Sequence, residues 1–226
     1  MPNIIEIMTN RSSKRAYLPK AISKEIQEKI LKAAAQTPSG ANMQPWQVYA
    51  VSNEDVLKNI GDAIIEKMDN GVKHDQFIQY YPKNWVNPYK KRRVITGFGL
   101  YNLMDVDRKD YDTRKKMWHD NFRWFGAKTV FFIFTDKANI EDAQGVLLDC
   151  GAYMQSIILA AQEFSIDSCP QGSTTEFGKV VAKVLNVPDN LAFLYSIVLG
   201  YADKDAKINT YQPARASLEE SVTFIE

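Results

Sequence analysis

Three observations predict a fold that mixes helices with strands. Apolar residues recur at helical spacing in several separate segments. Three short runs, Trp46–Val51, Thr129–Thr135 and Ala192–Leu199, are apolar, β-branched or aromatic as strands are. Between the last two lies a longer stretch, Val146–Phe164, that is apolar almost all round and belongs in a core. With 226 residues, 45% of them hydrophobic, the chain can bury a sizeable core. No internal repeat or linker divides it, so residues 1–226 read as one domain.

The elements follow in order. Ile4, Ile5, Ile7 and Met8 mark a short first helix. Ser23 is an N-cap with Glu25 in the first turn, and Ile26, Ile30, Ala33 and Ala34 form the buried face of a helix ending at Thr37-Pro38. After the strand at Trp46–Val51, Val56, Ile60, Ala63 and Ile64 give another amphipathic helix. Residues 69–125 are irregular: aromatic residues alternate with Lys and Arg, and Pro82 and Pro88 interrupt helices. This excursion reads as packing on the core, as an aromatic-walled pocket, or as a single-stranded nucleic-acid surface. Phe177, Val180, Val181, Val184 and Leu185 supply a late helix. The apolar tail Leu218–Ile225 has to lie against the core or a partner subunit.

Charge narrows the function classes. Lys plus Arg is 28 and Asp plus Glu is 27, which argues against a general nucleic-acid binder. Cys150 and Cys169 form no disulfide framework, and His74 and His119 have no ligand at metal-binding spacing. No secretory signal and no run of about eighteen apolar residues is visible. The expectation is a cytoplasmic protein without membrane, metal or nucleic-acid partners.

Three polar stretches carry candidate chemistry. Arg11-Ser12-Ser13-Lys14-Arg15 puts three cations and two hydroxyls in five residues, a set that suits a phosphate or makes a solvated basic turn. Thr37–Trp46 follows a helix and precedes a strand. Pro38 and Gly40 stop the helix, and Ser39, Asn42 and Gln44 place a hydroxyl and two amides in a tight loop. Such a loop can hold a polyol or a heterocycle edge, or it is a decorated turn. Ser168-Cys169-Pro170-Gln171-Gly172-Ser173 reads as a rigid turn exposing backbone N–H groups, or as a plain connection. No base stands near Cys169 in sequence to make it a nucleophile.

Together with Gly200-Tyr201 and a late Arg215, these motifs resemble the nitroreductase family of FMN-dependent oxidoreductases. Arg11, Ser13 and Arg15 match its Arg-x-Ser-x-Lys/Arg pattern, and Pro38–Trp46 match its Pro-Ser-x-x-Asn-x-Gln-Pro-Trp loop. The Cys-Pro-Gln-Gly form of the third stretch is similar to the nitrobenzoate-reductase-like branch. The resemblance spans nearly the whole chain and implies an α+β fold: a mixed, mainly antiparallel sheet wrapped by helices. It implies a homodimer, with the tail over residues 210–226 exchanged between subunits.

It also implies roles. Arg11, Ser12, Ser13 and Arg215 would hold the FMN phosphate, and Arg15 would sit by the flavin N1/O2 edge. Asn42 and Gln44 would hold the ribityl chain and ring edge, with Ser39 supplied by the partner subunit. Backbone groups of Pro170, Gln171 and Gly172 would face N5 and O4. Phe122, Trp124 and Phe125 are candidate pocket walls, and Asn70 and Lys73 candidates for the flavin edge. No acid, base or nucleophile is then needed, since the flavin carries the chemistry. The implied activity is ping-pong hydride transfer from NAD(P)H to nitroaromatic, quinone or similar flat acceptors. Alternatives on the same fold are reductive dehalogenation, flavin breakdown, or FMN binding without turnover.

Overall fold

The structure is a computed structural model and describes residues 3–226. Four strands, β1 (Gln47–Val51), β2 (Thr129–Asp136), β3 (Asp167–Gln171) and β4 (Leu191–Gly200), form one sheet in the order β1-β2-β4-β3. Every strand pair is antiparallel. The α+β fold with a mainly antiparallel sheet wrapped by helices is thus present, and among the described residues of one chain every pairing in the sheet is antiparallel.

The two central strands explain their own sequences. All ten residues of β4 and the first seven of β2 are buried. Successive side chains of a strand point to opposite faces. Phe132 and Phe134 therefore join the core on one side, with Leu57, Ile60 and Ile64, while Phe131 and Ile133 join the core on the other, with Ile30, Ile157 and Ile158. A strand covered on both faces must be apolar throughout, which is why no alternation appears in Thr129–Thr135.

Helices α2 (Lys24–Ala34) and α7 (Gly145–Gln162) cover the second face; α3 (Glu54–Asp69) and α8 (Gly178–Val184) cover the first. The Ser23 hydroxyl caps α2 by accepting from the Ile26 N–H. Trp46 lies outside β1 and stacks on Tyr153 of α7 at 4.4 Å. Although α7 is apolar nearly all round, one chain does not bury it fully: Leu148 is 77% exposed. Helix α1 (Ile4–Asn10) closes its N-terminus with an Asn3–Glu6 capping box but buries no residue.

Within the excursion, α4 (Tyr89–Leu103) and α5 (Tyr111–His119) likewise bury nothing. The C-terminal segment, ending in the short helix α9 (Leu218–Ser221), fastens α4 in place. Tyr211 donates its hydroxyl to the Thr96 carbonyl at 2.9 Å, and Arg92 pairs with Glu220 at 2.7 Å. Gly99 leaves room where the Tyr211 ring crosses α4: a Cβ there would fall 2.5 Å from the Tyr211 hydroxyl oxygen, and the ring would have to shift. In the single chain, then, the tail runs over its own α4.

Candidate functional site

After α1 the chain is extended and is held by backbone and amide bonds. The Lys14 N–H donates to the Ser168 carbonyl of β3, and Tyr17 bridges to Ala202. Asn209, only 5% exposed, is the hub. Its Oδ1 accepts from the N–H groups of Arg15 (2.6 Å) and Ala16 (3.2 Å). Its Nδ2 donates to the carbonyls of Ala16 and Asp203, both at 2.8 Å. The Lys14 ammonium donates to the Asn209 carbonyl at 3.0 Å. One buried amide thereby fixes the basic N-terminal segment to the segment that leads to Arg215.

The result is a crowd of positive charge. Burial and then the neighbouring Arg215 guanidinium hold the Arg11 pKa below its ordinary value. Among the described residues neither guanidinium forms an ion pair with a carboxylate. Ser12, beside Arg11, buries its hydroxyl with no hydrogen-bond partner. A phosphate monoester fits what this place lacks: it carries roughly −1.5 to −2 charges and offers three acceptor oxygens.

The 37–46 loop is built as a strained platform. Ala41, Asn42 and Gln44 all take positive φ, at 50°, 55° and 48°. Asn tolerates that region; for Ala and Gln it costs on the order of 1 kcal/mol or more each. The loop is held by its surroundings. The Gly40 N–H donates to Asp149 of α7 at 3.1 Å, and the Gln44 N–H to the Ser39 hydroxyl at 2.9 Å. Thr37 donates its hydroxyl to the Ala34 carbonyl at 2.7 Å and lies 2.6 Å from the Ser156 hydroxyl of α7. Asn42 is exposed, and the Gln44 amide donates only to the Asn42 carbonyl. Among the described residues no hydrogen bond or ion pair links this loop to the Arg11–Arg215 cluster within one chain.

The third stretch is not a turn. Cys169-Pro170-Gln171 lie in β3, an edge strand, where Pro170 loses no ladder bond from its missing N–H. Gln171 points inward: its Nε2 donates to the Asn121 carbonyl at 2.8 Å and its Oε1 accepts from Ser196 at 3.1 Å. Only backbone is left here for a ligand. Gly172 follows, and the Tyr80 ring rests on it so closely that a Cβ would fall 2.5 Å from the ring. Burial pushes the Cys169 thiol pKa up; Arg15, a Ser13 hydrogen bond and Arg11 oppose it. Ser13 and Arg15 are therefore also drawn to β3.

The pocket-wall reading of Phe122, Trp124 and Phe125 needs correcting. They are 0%, 3% and 9% exposed and belong to the core beside α3; Trp124 donates its indole N–H to the Leu57 carbonyl at 2.9 Å. The run follows α5 so closely that its sequence resembles the exposed aromatic excursion. Its return to the sheet through positive φ at Trp124 and Phe125 leaves no periodic signature. The aromatic ring beside Gly172 is instead that of Tyr80, which Tyr81 adjoins, with Trp85 beyond it. Sequence reading places these three in the excursion read as packing, as an aromatic-walled pocket or as a nucleic-acid surface, and gives Asn209 no role. An Asn hub has no sequence mark, since the four partners of its side chain are backbone groups, three of them at Arg15 and Ala16, far away along the chain. Asn70 caps the C-terminal end of α3, and Lys73 lies in the irregular stretch after it. Among the described residues no group of three His, Cys, Asp or Glu side chains is placed to hold a metal, and no helix is long and apolar enough to cross a membrane.

Comparison with known proteins agrees with this architecture. The profile of the Nitroreductase family matches residues 8–201. The chain is 30% identical to the chloronitrobenzene nitroreductase of Comamonas testosteroni, over 99% of this chain and 97% of that protein. It is 30% identical to the 4-nitrobenzoate reductase of a Nocardioides species, over 97% and 88%. The crystal structure of the FMN-dependent nitroreductase NfnB from Mycobacterium smegmatis in complex with NADPH superposes with a TM-score of 0.91, at 26% identity over 98% and 97% of the two chains. The chain belongs to the nitroreductase family.

Proposed function

We propose that the protein is an FMN-dependent oxidoreductase that passes hydride from NAD(P)H to flat aromatic acceptors such as nitroaromatics and quinones. One observation carries this reading: Arg215 lies near enough to hold the Arg11 pKa down, neither guanidinium has an ion-pair partner among the described residues, and Ser12, next to Arg11 in sequence, buries a hydroxyl without a partner. The relatives named as reductases of nitroaromatic compounds support the acceptor class.

In this reading Arg11, Ser12, Ser13 and Arg215 hold the FMN phosphate. Arg15 stabilises negative charge at the N1/O2 edge. Asn42 and Gln44 hold the ribityl chain and ring edge from the strained loop, Ser39 comes from the partner of a homodimer, and the backbone of residues 170–172 faces N5 and O4. Bound FMN supplies the hydride chemistry, taking hydride from the nicotinamide and giving it to the acceptor in alternate, ping-pong half-reactions. The chain supplies no acid, base or nucleophile; its part is to bind, orient and shape the slot. The setting is the cytoplasm, with no nucleic-acid or membrane partner.

The test is a visible spectrum of the purified protein, followed without oxygen by each nicotinamide and then by a nitroaromatic. A yellow protein that bleaches with nicotinamide and recovers its colour with the acceptor supports the reading. A protein that takes up no FMN, or a yellow one that neither nicotinamide bleaches, overturns it.

A further inference from the structure

Four side chains run outward from Gly172 in sequence and in space. The Tyr80 ring lies against Gly172. Tyr80 meets Tyr81 edge to face at 4.9 Å, Tyr81 meets Trp85 at 5.8 Å, and the Arg93 guanidinium lies over the Trp85 ring at 4.8 Å. Each step is one aromatic contact long. The ladder starts beside the backbone assigned to the flavin N5 edge and ends on a cation. It belongs to no core: Tyr80 and Tyr81 are 43% and 39% exposed, and α4 buries no residue.

The far end is strongly basic. Lys90, Lys91, Arg92 and Arg93 are consecutive in α4. Arg92 is engaged by Glu220. Among the described residues Lys90, Lys91 and Arg93 form no ion pair with a carboxylate. The acid that feels Arg93 is Glu176: burial raises its pKa, and His74 and then Arg93 oppose that rise. A row of rings, two exposed and one half-buried, that ends on a guanidinium without an ion-pair partner is chemically matched to a long ligand that is flat and uncharged at one end and anionic at the other.

We propose that the Tyr80–Tyr81–Trp85 ladder carries the nicotinamide dinucleotide and that Arg93 holds its 2′-phosphate, so that the enzyme uses NADPH in preference to NADH. The inference rests on the flavin reading above, because that reading fixes which end of the ladder is the reacting end. A one-ring acceptor covers one step of the ladder and does not reach Arg93; a dinucleotide spans several. Phosphate against guanidinium is a charge-assisted, bidentate pairing, whereas NADH offers only a hydroxyl at that position. Arg93 is here a specificity residue and touches no reacting atom.

The experiment is calorimetric titration of the oxidised holoenzyme with NADP⁺ and with NAD⁺, without turnover, for the wild type, Arg93→Ala and Arg93→Lys. The wild type is expected to bind NADP⁺ at least tenfold more tightly, Arg93→Ala to remove that advantage with NAD⁺ affinity kept within about twofold, and Arg93→Lys to retain part of it. The advantage shrinks with added salt. Equal affinity of the wild type for both nucleotides, or an equal loss for both in Arg93→Ala, overturns the proposal. A parallel comparison of 4-nitrobenzoate with nitrobenzene covers the other source of an anion. If Arg93→Ala raises KM for the nitrobenzoate alone and leaves the nucleotide ratio intact, Arg93 reads the acceptor and the proposal fails. A protein that holds FMN and is reduced equally well by both nicotinamides keeps the flavin reading and loses this one.

Discussion

Arg11 and Arg215 lie 204 positions apart in a chain of 226 residues, yet each guanidinium stands in the field of the other. A folded chain gains nothing from that arrangement until an anion joins it. On the proposed reading, substituting Arg215→Gln removes one charge-assisted contact to the phosphate. Because Arg215 is exposed, the loss lies at the low end of the range for such bonds, about 1.4 kcal/mol, or roughly tenfold in FMN affinity. Flavin-fluorescence titration of the apoprotein measures it, and an unchanged affinity contradicts the assignment. Ser12 makes a sharper case because two effects have opposite signs. Its hydroxyl is buried without a partner, so Ser12→Ala removes a desolvation cost and leaves the apoprotein as stable as before or more so, while FMN binding weakens about fivefold. Denaturant midpoints of the apoprotein set beside the titration separate the two. A side chain that served only packing would lose stability and leave affinity alone.

At the scale of elements, Gly61 is where α3 meets the segment before β2. A Cβ there would fall 2.0 Å from the Phe122 carbonyl oxygen, and backbone cannot swing aside as a side-chain tip can. Gly61→Ala is expected to destabilise by about 1–3 kcal/mol, despite alanine's better helix propensity, as a lower urea midpoint with FMN affinity unchanged in the surviving folded fraction. This contact also shows what sequence makes legible. The strands β2 and β4 are readable because burial on both faces forces every position to be apolar. Helix α2 is readable because its cap and its periodic face agree. The strand β3 is not: it is short, lies at the sheet edge and contains Pro170, all of which read as a turn. Phe122, Trp124 and Phe125 mislead for the opposite reason, being core residues reached through an irregular turn that has no period. The basic motif at 11–15 can be read in place and is joined to Arg215 through the family resemblance, but the Asn209 amide that ties the two segments cannot be read, since its side chain bonds only to backbone.

At the scale of the molecule, one chain leaves much apolar surface uncovered. Ile4, Ile5 and Met8 of α1 are 53%, 67% and 52% exposed, Leu148 of α7 is 77% exposed, and Phe224 and Ile225 at the end of the tail are 76% and 93% exposed. Burying one such side chain fully is worth about 1.5–3 kcal/mol, so a surface of this kind is expected to be shared with another copy. Leu148 is the best probe of that reading. It lies on the helix that also anchors the strained Ser39–Gln44 loop through Asp149, and a cleft of about 750 Å³ opens beside it along Ile78, Gln144 and Leu147. In an isolated chain Leu148→Glu would be a surface substitution of little consequence, within about 0.5 kcal/mol. If α7 meets a second copy, the same change buries a carboxylate in an apolar interface and drives the protein to monomers in sedimentation velocity at micromolar concentration. FMN would be lost with the dimer, because the proposed site takes Ser39 from the partner subunit. A monomeric wild type would refute the shared surface, and a Leu148→Glu variant that stays dimeric and fully yellow would place the interface elsewhere.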